Sequence, residues 1–186
     1  MKTVVPMFLS LLLVSSAFAA PPLHRTDSTT VRWESIVGVI TAPDDPSTQA
    51  AENINNPVGN IASGTFPWSV RAGTARVNLA NGAAHFDVRG LVINGQIFSG
   101  TPGPVTAVTG TVVCNPGDPT EADLDTSDVS IDGKGNAHFT GMIPGIPATC
   151  PNPLFLVRIA TIANPANPNG ARGFWIATGA ERSIGR

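Results

Sequence analysis

Several residue types and motifs that would point to a particular chemistry are missing from this chain of 186 residues. It has no tyrosine, only 6% aromatic residues and only 13% charged residues. The basic residues occur singly along the chain, so we expect no nucleic-acid partner, which would need a concentrated basic run or face. No apolar run reaches the roughly 20 residues that a membrane-spanning helix needs. We therefore expect no membrane span either.

Motifs of the common hydrolase families are absent as well. The chain contains no G-x-S-x-G, no S-x-x-K and no H-E-x-x-H pattern, which position nucleophilic serines or a catalytic zinc. These absences favour a non-catalytic role. A hydrolase of unrecognised type stays open as an alternative.

The N-terminus carries a predicted secretory signal peptide over residues 1–19. Lys2 supplies the positive charge, residues 7–14 the apolar run, and Ala17-Phe18-Ala19 the cleavage site. Cleavage leaves 186 − 19 = 167 residues, the size of one domain. The expected segments are then a flexible leader over 20–30, a single domain over 31–182 and a tail over 183–186. We predict a secreted or periplasmic location.

Two cysteines, Cys114 and Cys150, follow the predicted signal. An even pair in an exported protein predicts a disulfide. The bridge would enclose residues 115–149, and closing a loop of that length contributes roughly 3–4 kcal/mol in the chain-entropy model.

The clearest structural pattern is a β-hairpin over residues 76–92. Apolar and polar residues alternate on both sides of Asn81-Gly82, which is a strong hairpin-turn signal. The pattern recurs over 128–143 with the same Ala-His-Phe triplet. Glycine and proline total 36 residues (19 and 17), which with the low charge favours short strands and many turns.

Strand patterns of this kind continue along the chain. Over 66–79 the apolar phase changes at Gly73, which predicts a bulge or a tight turn there. Residues 154–162 are nearly all apolar and predict a central strand, in which Arg158 should pair with a carboxylate or reach solvent. The count is eight or nine strands. We predict an all-β, antiparallel β-sandwich with one disulfide, and a partly open β-barrel is the alternative.

Two histidines hold equivalent places in the two hairpins and are the first candidate site. Phe86 and Phe139 should point inward, so His85 and His138 should point outward, and Asp87 shares the face of His85. If the hairpins are neighbours, His85, Asp87 and His138 could bind zinc, because two histidines and a carboxylate are suitable ligands. Solvent-facing polar residues on similar strands are the simpler interpretation.

A second candidate is the acidic segment 118–132, which holds six of the thirteen acidic residues. Asp123, Asp125 and Asp128 could supply oxygen ligands to calcium. Their spacing does not match the helix-loop-helix calcium loop, so the signal is compositional only. The alternative is a solvated edge strand whose charge prevents aggregation.

The three tryptophans bear on sugar binding, which generally uses exposed aromatic platforms. Trp33 and Trp68 are in phase with apolar neighbours and predict core positions. Trp175 lies in a run where one side could be exposed, which makes it the candidate ligand-binding residue.

These patterns favour an exported, non-catalytic protein with a binding or structural role outside the cytoplasm. The expected partner is a glycan, a surface polymer or another protein. We expect no cofactor. A calcium- or zinc-dependent binding protein or enzyme, using one of the two candidate sites, and a hydrolase of unrecognised type are the alternatives.

Overall fold

The computed structural model describes residues 29–40, 56–95, 97–162 and 173–184. The predicted signal peptide, most of the predicted leader and the last two residues of the predicted tail lie outside the described residues. Within the described part there is no helix, and hence none that could span a membrane. The eleven strands are β1 (Thr30–Gly38), β2 (Trp68–Ser69), β3 (Ala72–Asn78), β4 (Ala83–Arg89), β5 (Val92–Ile93), β6 (Val105–Cys114), β7 (Ala122–Asp125), β8 (Val129–Ser130), β9 (Ala137–Met142), β10 (Leu154–Ile162) and β11 (Trp175–Ile184).

Nine of the strands form one antiparallel sheet. Its order is β7-β6-β10-β11-β1-β3-β4-β9, and β8 pairs with β6 beside β7. Strands β2 and β5 form a second, small sheet. The predicted all-β antiparallel fold with one disulfide is confirmed. Its architecture is a curled half-barrel, which is closer to the partly open barrel than to two stacked sheets of equal size.

Two phenylalanines show how strongly the large sheet curls. Phe86 on β4 and Phe155 on β10 are separated by β3, β1 and β11, so a flat sheet would hold them about 19 Å apart. Their ring centroids are 5.7 Å apart instead. The concave side of the sheet therefore closes on itself and forms the core, in which both rings are almost fully buried.

The first predicted hairpin is confirmed as β3 and β4. Val77 pairs with Ala84, and the turn is closed by the Gly82 amide, which donates to the Asn78 carbonyl over 2.8 Å. Gly82 has a φ of 79°, which glycine adopts without strain. The apolar side chains of both strands point into the core as the alternation predicts.

The pairing predicted for the second hairpin is wrong: a turn joins β8 to β9, but the two strands pair with other strands and not with each other. β8 pairs with β6 at one end of the large sheet, and β9 pairs with β4 at the other. The turn between them is closed by the Asp132 amide, which donates to the Asn136 carbonyl over 3.0 Å. The β8–turn–β9 segment therefore connects the two ends of the curled sheet.

The break predicted at Gly73 lies earlier in the chain. β2 ends at Ser69 and β3 begins at Ala72, so Gly73 is inside a strand, opposite Val88. A Cβ at Gly73 would come within 2.9 Å of Ile36 Cβ. The glycine is thus required by close packing, and the change of phase occurs where the chain passes from the small sheet to the large one.

The predicted disulfide joins Cys114, the last residue of β6, to Cys150 in the loop before β10. The Cα atoms are 4.8 Å apart, and Cys114 is buried. Next to the bridge, the Asn115 amide donates to the Pro151 carbonyl over 2.8 Å. The bridge therefore ties the end of a central strand to the segment that leads into its neighbour.

Candidate functional site

The two histidines meet on the convex face of the sheet. β4 and β9 are neighbours, and Phe86 lies directly opposite Phe139 with the rings stacked at 5.8 Å. Because these rings fill the inside, His85 and His138 lie outside, with their ring centroids 4.9 Å apart. The inward direction predicted for Phe86 and Phe139 and the outward direction predicted for the histidines are both confirmed.

Thr140 connects the two imidazoles. Its Oγ1 lies 3.0 Å from His85 Nδ1 and 3.2 Å from His138 Nε2. A hydroxyl has one hydrogen, so Thr140 can donate to only one of the two rings and must accept from the other. When both histidines are neutral, the tautomer of one ring therefore depends on the tautomer of the other. The sequence does not indicate Thr140, because its position opposite His85 depends on the pairing register of β4 and β9.

The chain of polar contacts continues to Asp87 and Arg89. The second ring nitrogen of His138, Nδ1, is 3.6 Å from Asp87 Oδ2, and Arg89 Nε donates to Asp87 Oδ1 over 2.9 Å. We call the five residues His85, Thr140, His138, Asp87 and Arg89 the histidine chain. The positive charge of Arg89 neutralises the negative charge of Asp87, so the histidine chain adds no net negative charge to the surface.

The arrangement of these side chains bears on the predicted zinc site of His85, Asp87 and His138. His138 turns Nε2 towards Thr140 and Nδ1 towards Asp87, so no single nitrogen of His138 faces both His85 and Asp87. Throughout the described ranges, no group of three or more His, Cys, Asp or Glu side chains is arranged to hold a metal ion. The structure brings the three residues together without aiming three donor atoms at one point.

The composition of the acidic segment suggests calcium ligands, but several of its carboxylates contact protein groups instead. Asp123 and Asp125 lie on β7, where Asp125 accepts a hydrogen bond from Thr111 Oγ1 over 2.6 Å and pairs with Arg158 at 3.4 Å. The ion pair predicted for Arg158 is thereby confirmed. Burial raises the pKa of the Asp123 carboxyl, and the charge of Glu121 raises it further.

Other acids of the segment hold loops in place through backbone amides. Glu121 accepts hydrogen bonds from the amides of Asn60 and Gly117, and so joins two loops. Asp132 accepts from the amides of Lys134 and Asn136, both over 2.9 Å, and these bonds lower the pKa of the Asp132 carboxyl. The carboxylates of Glu121 and Asp132 therefore have a structural role, which is to hold these loops in place.

The prediction that one side of Trp175 is exposed is wrong, and the residue does not offer an aromatic platform. The residue is only 7% exposed, and its indole N–H donates to the Asn56 carbonyl over 2.7 Å. The hydrogen bond satisfies the one polar group of the ring, which allows it to be buried. Trp33 and Trp68 are buried as predicted.

A groove lies at one end of the histidine chain. It consists of two depressions of about 530 Å³ and 420 Å³ that share Arg71 and Asn136. We call it the Arg71 groove. Its polar and charged lining residues are Ser69, Arg71, Asp87, Arg89, Ser130, Lys134, Asn136 and His138.

Hydrogen bonds between three separate segments hold the walls of the Arg71 groove. The Arg71 amide donates to the Arg89 carbonyl over 3.0 Å, and the Gly90 amide donates to Asn136 Oδ1 over 3.2 Å. Gly90 has a φ of 65°, and a Cβ there would come within 2.9 Å of Arg71 Cβ. The groove is therefore preformed on rigid backbone, which lowers the ordering cost of binding.

A third depression, of about 230 Å³, lies at the other end of the histidine chain. It is lined by Arg32, Glu34, Thr74, Arg76 and His85, together with Trp33 and Ala75. Arg32 is directly opposite Arg76, and Arg76 is directly opposite His85, on three adjacent strands. Like charges in directly opposed positions destabilise a sheet, so this row of three groups, which we call the arginine row, is unfavourable without a counter-charge.

The arginine row changes the titration of His85. Partial burial lowers the pKa of its imidazole below the ordinary 6.5, and the charges of Arg76 and His138 lower it further, whereas Asp87 opposes them. The unfolded chain therefore takes up this proton before the folded protein does as the pH falls. The stability linked to His85 is complete above pH 6.5 and is lost as the pH falls below it, towards the lowered folded-state value.

A variant can isolate this pH dependence. His85→Asn keeps a polar partner for Thr140 but does not titrate, so we expect its melting temperature to fall less than that of the unmodified protein between about pH 7.5 and about pH 5. Thermal unfolding followed by circular dichroism at both pH values gives the difference. An equal fall for both proteins would show that His85 does not contribute.

Comparisons with protein-family models, with curated proteins and with solved structures find no match for this chain.

Proposed function

We propose that the protein is exported and acts outside the cytoplasm as a non-catalytic binding protein whose ligand occupies the Arg71 groove. The observation that carries this proposal is a preformed polar groove in which Arg71 lies without a carboxylate partner among the described residues. In the described part of the chain, neither Arg71 nor Lys134 has an ion pair. A disulfide between Cys114 and Cys150 is consistent with an oxidising compartment.

The groove has the features of a binding site more than those of a catalytic one. The nearest resemblance to catalytic machinery is the order Thr140, His138, Asp87, which parallels nucleophile, base and orienting acid. However, the hydroxyl of Thr140 lies between two imidazoles, and Asp87 is shared with Arg89. A hydrolase remains the second candidate, and its signature would be an ester-cleaving activity that Thr140→Val abolishes.

Binding is tested with immobilised polysaccharides of neutral, carboxylated and sulfated types. We expect the protein to be retained by at least one of them, and the double variant Arg71→Gln/Lys134→Gln to bind about tenfold more weakly, because two exposed ion pairs together contribute roughly 1–2 kcal/mol. The matched control is Arg182→Gln, which removes the same type of charge from an exposed residue of β11 that lines none of the three depressions. Retention by none of the polymers, or equal binding by the double variant, would contradict the proposal.

A further inference from the structure

The Arg71 groove and the arginine row are connected through the histidine chain. His138 lines the groove and His85 lines the depression of the arginine row, and their rings are 4.9 Å apart. The two ends are therefore parts of one continuous surface, which we call the basic track. It carries five permanent cations, Arg32, Arg76, Arg89, Arg71 and Lys134, and two carboxylates, Glu34 and Asp87.

The charge of the basic track is opposite to that of the whole chain. The lining residues give the track 5 − 2 = +3 with neutral histidines. Counting Asp132, whose carboxyl interacts with the charge of Lys134, gives 5 − 3 = +2, whereas the whole chain has a formal charge of −2. Asp87 is already paired with Arg89, and Glu34 accepts a hydrogen bond from Ser183. In the described ranges, neither Arg32 nor Arg76 has an ion pair. Anionic groups of a ligand would supply the missing counter-charge.

The length of the track indicates a polymer. Its three depressions follow one another across β1, β3, β4 and β9 and into the segments around Gly90 and Lys134. A small anion would neutralise one end and leave the cations at the other end without partners. A linear polyanion can engage both ends at once, and its second contact benefits from the effective concentration created by the first.

The chemistry of the track distinguishes among polyanions. Single-stranded nucleic acids stack their bases on large aromatic rings, and the described lining has no exposed Phe or Trp, because Trp33 is buried and the accessible rings are the imidazoles of His85 and His138. An extended acidic peptide would add to a sheet edge, and β9 is the edge strand under the track. A peptide added there would run along β9 and would not cross β4, β3 and β1 to the arginine row. Hydroxyl-bearing lining residues, Ser69, Thr74 and Ser130, suit the hydroxyl groups of sugars.

We infer that the ligand of the basic track is a linear polysaccharide that carries carboxylate groups, bound with its chain running from the Arg71 groove across the histidine chain to the arginine row. Arginine is suited to this role because its planar fork matches the geometry of a carboxylate. This inference rests on the proposed function and adds to it the class of ligand and the direction in which it lies.

The test uses polygalacturonate and a galacturonate trimer with the full-length mature protein in calorimetric titrations. We expect the polymer to bind at least about tenfold more tightly per site than the trimer, because only the polymer reaches both ends of the track. The double variant Arg32→Gln/Arg76→Gln should weaken the polymer to the level of the trimer and leave the trimer unchanged. Arg71→Gln/Lys134→Gln should weaken both. Circular dichroism melts of each variant separate lost binding from lost folding.

Further ligands separate the failure of this inference from the failure of the proposed function. Fully methyl-esterified polygalacturonate, which keeps the sugars and lacks the charge, should bind at least about tenfold more weakly, and raising the salt from about 0.05 to about 0.5 M should weaken the charged polymer. Equal binding of the esterified polymer in the groove would overturn the inference and leave the proposed function standing. Preference for dextran sulfate or polyglutamate would overturn the carboxylated-polysaccharide assignment. Binding of no polymer would overturn both.

Discussion

Replacing Phe86 by alanine is expected to lower the free energy of unfolding by about 3–5 kcal/mol, the usual cost of truncating a fully buried aromatic residue. Phe86 is completely buried and contacts Phe139 and Phe155 at ring-centroid distances of 5.8 and 5.7 Å. These contacts join β4 to its neighbour in the sheet and to a strand four positions away. Their loss therefore weakens both the local packing and the curl of the sheet.

Denaturant unfolding measures this loss, and Gly110 offers a matched test of the contact. A Cβ at Gly110 would lie 2.8 Å from two atoms of the Phe86 ring. Gly110→Ala should therefore cost about 1–3 kcal/mol in the unmodified protein by overpacking, and less in the Phe86→Ala background, where that clash is removed. Additive effects of the two substitutions would mean that Phe86 does not fill the space above Gly110.

Removal of the disulfide has the second large expected effect. The double variant Cys114→Ala/Cys150→Ala should lose roughly 3–4 kcal/mol of stability, because its unfolded chain is no longer constrained by a loop of this length. Cys114 ends β6 and Cys150 lies just before β10, and these two strands are neighbours over most of their length. The folded state keeps that strand pairing, so the loss comes mainly from the freer unfolded chain.

Thermal and denaturant unfolding with and without a reductant test this prediction. Reductant should lower the stability of the unmodified protein towards that of the double variant and leave the double variant unchanged. Equal stability of the oxidised protein and the double variant would show that the bridge does not contribute. Intact mass after alkylation without reductant should show no added label, because the described part of the chain holds no free cysteine.

The core of the fold and the proposed binding surface share the same strands. His85 and Asp87 on β4 face outward, and Phe86 between them faces the core. Changes in core packing at Phe86 would therefore displace the histidine chain, whereas substitutions in the basic track leave the core intact. This separation allows charge variants of the track to be made in a folded protein.

Local patterns along the chain predict the strands and the direction of their side chains. Alternation with a period of two residues places Phe86, Phe139 and Trp33 inside, and Asn81-Gly82 makes a turn wherever its flanking strands pair. The disulfide is equally predictable, because the chain contains only two cysteines. These predictions need no knowledge of which strands are neighbours.

Predictions that depend on environment succeed less well. Trp175 occurs in a run that is apolar on both faces, so its burial depends on the segment around Asn56 that covers it. Glu121 and Asp132 belong to an acidic segment whose composition is typical of a cation site. Their carboxylates instead accept hydrogen bonds from loop amides. Neither arrangement can be derived from spacing, because the partners come from turns whose shapes the pattern does not specify.

The sequence by itself determined an all-β fold, its inward and outward faces and its covalent bridge, because each of these follows from interactions between near neighbours or from residue identity. Only the tertiary structure decided the curl of the sheet, the meeting of His85 with His138 through Thr140, and the basic track. Arginines that are scattered singly along the chain predict no basic face, but the pairing of β1, β3 and β4 places Arg32, Arg76 and His85 in one row. The physical reason is that strand register is a long-range property, set by the packing of the whole core, and it alone determines which distant side chains become neighbours.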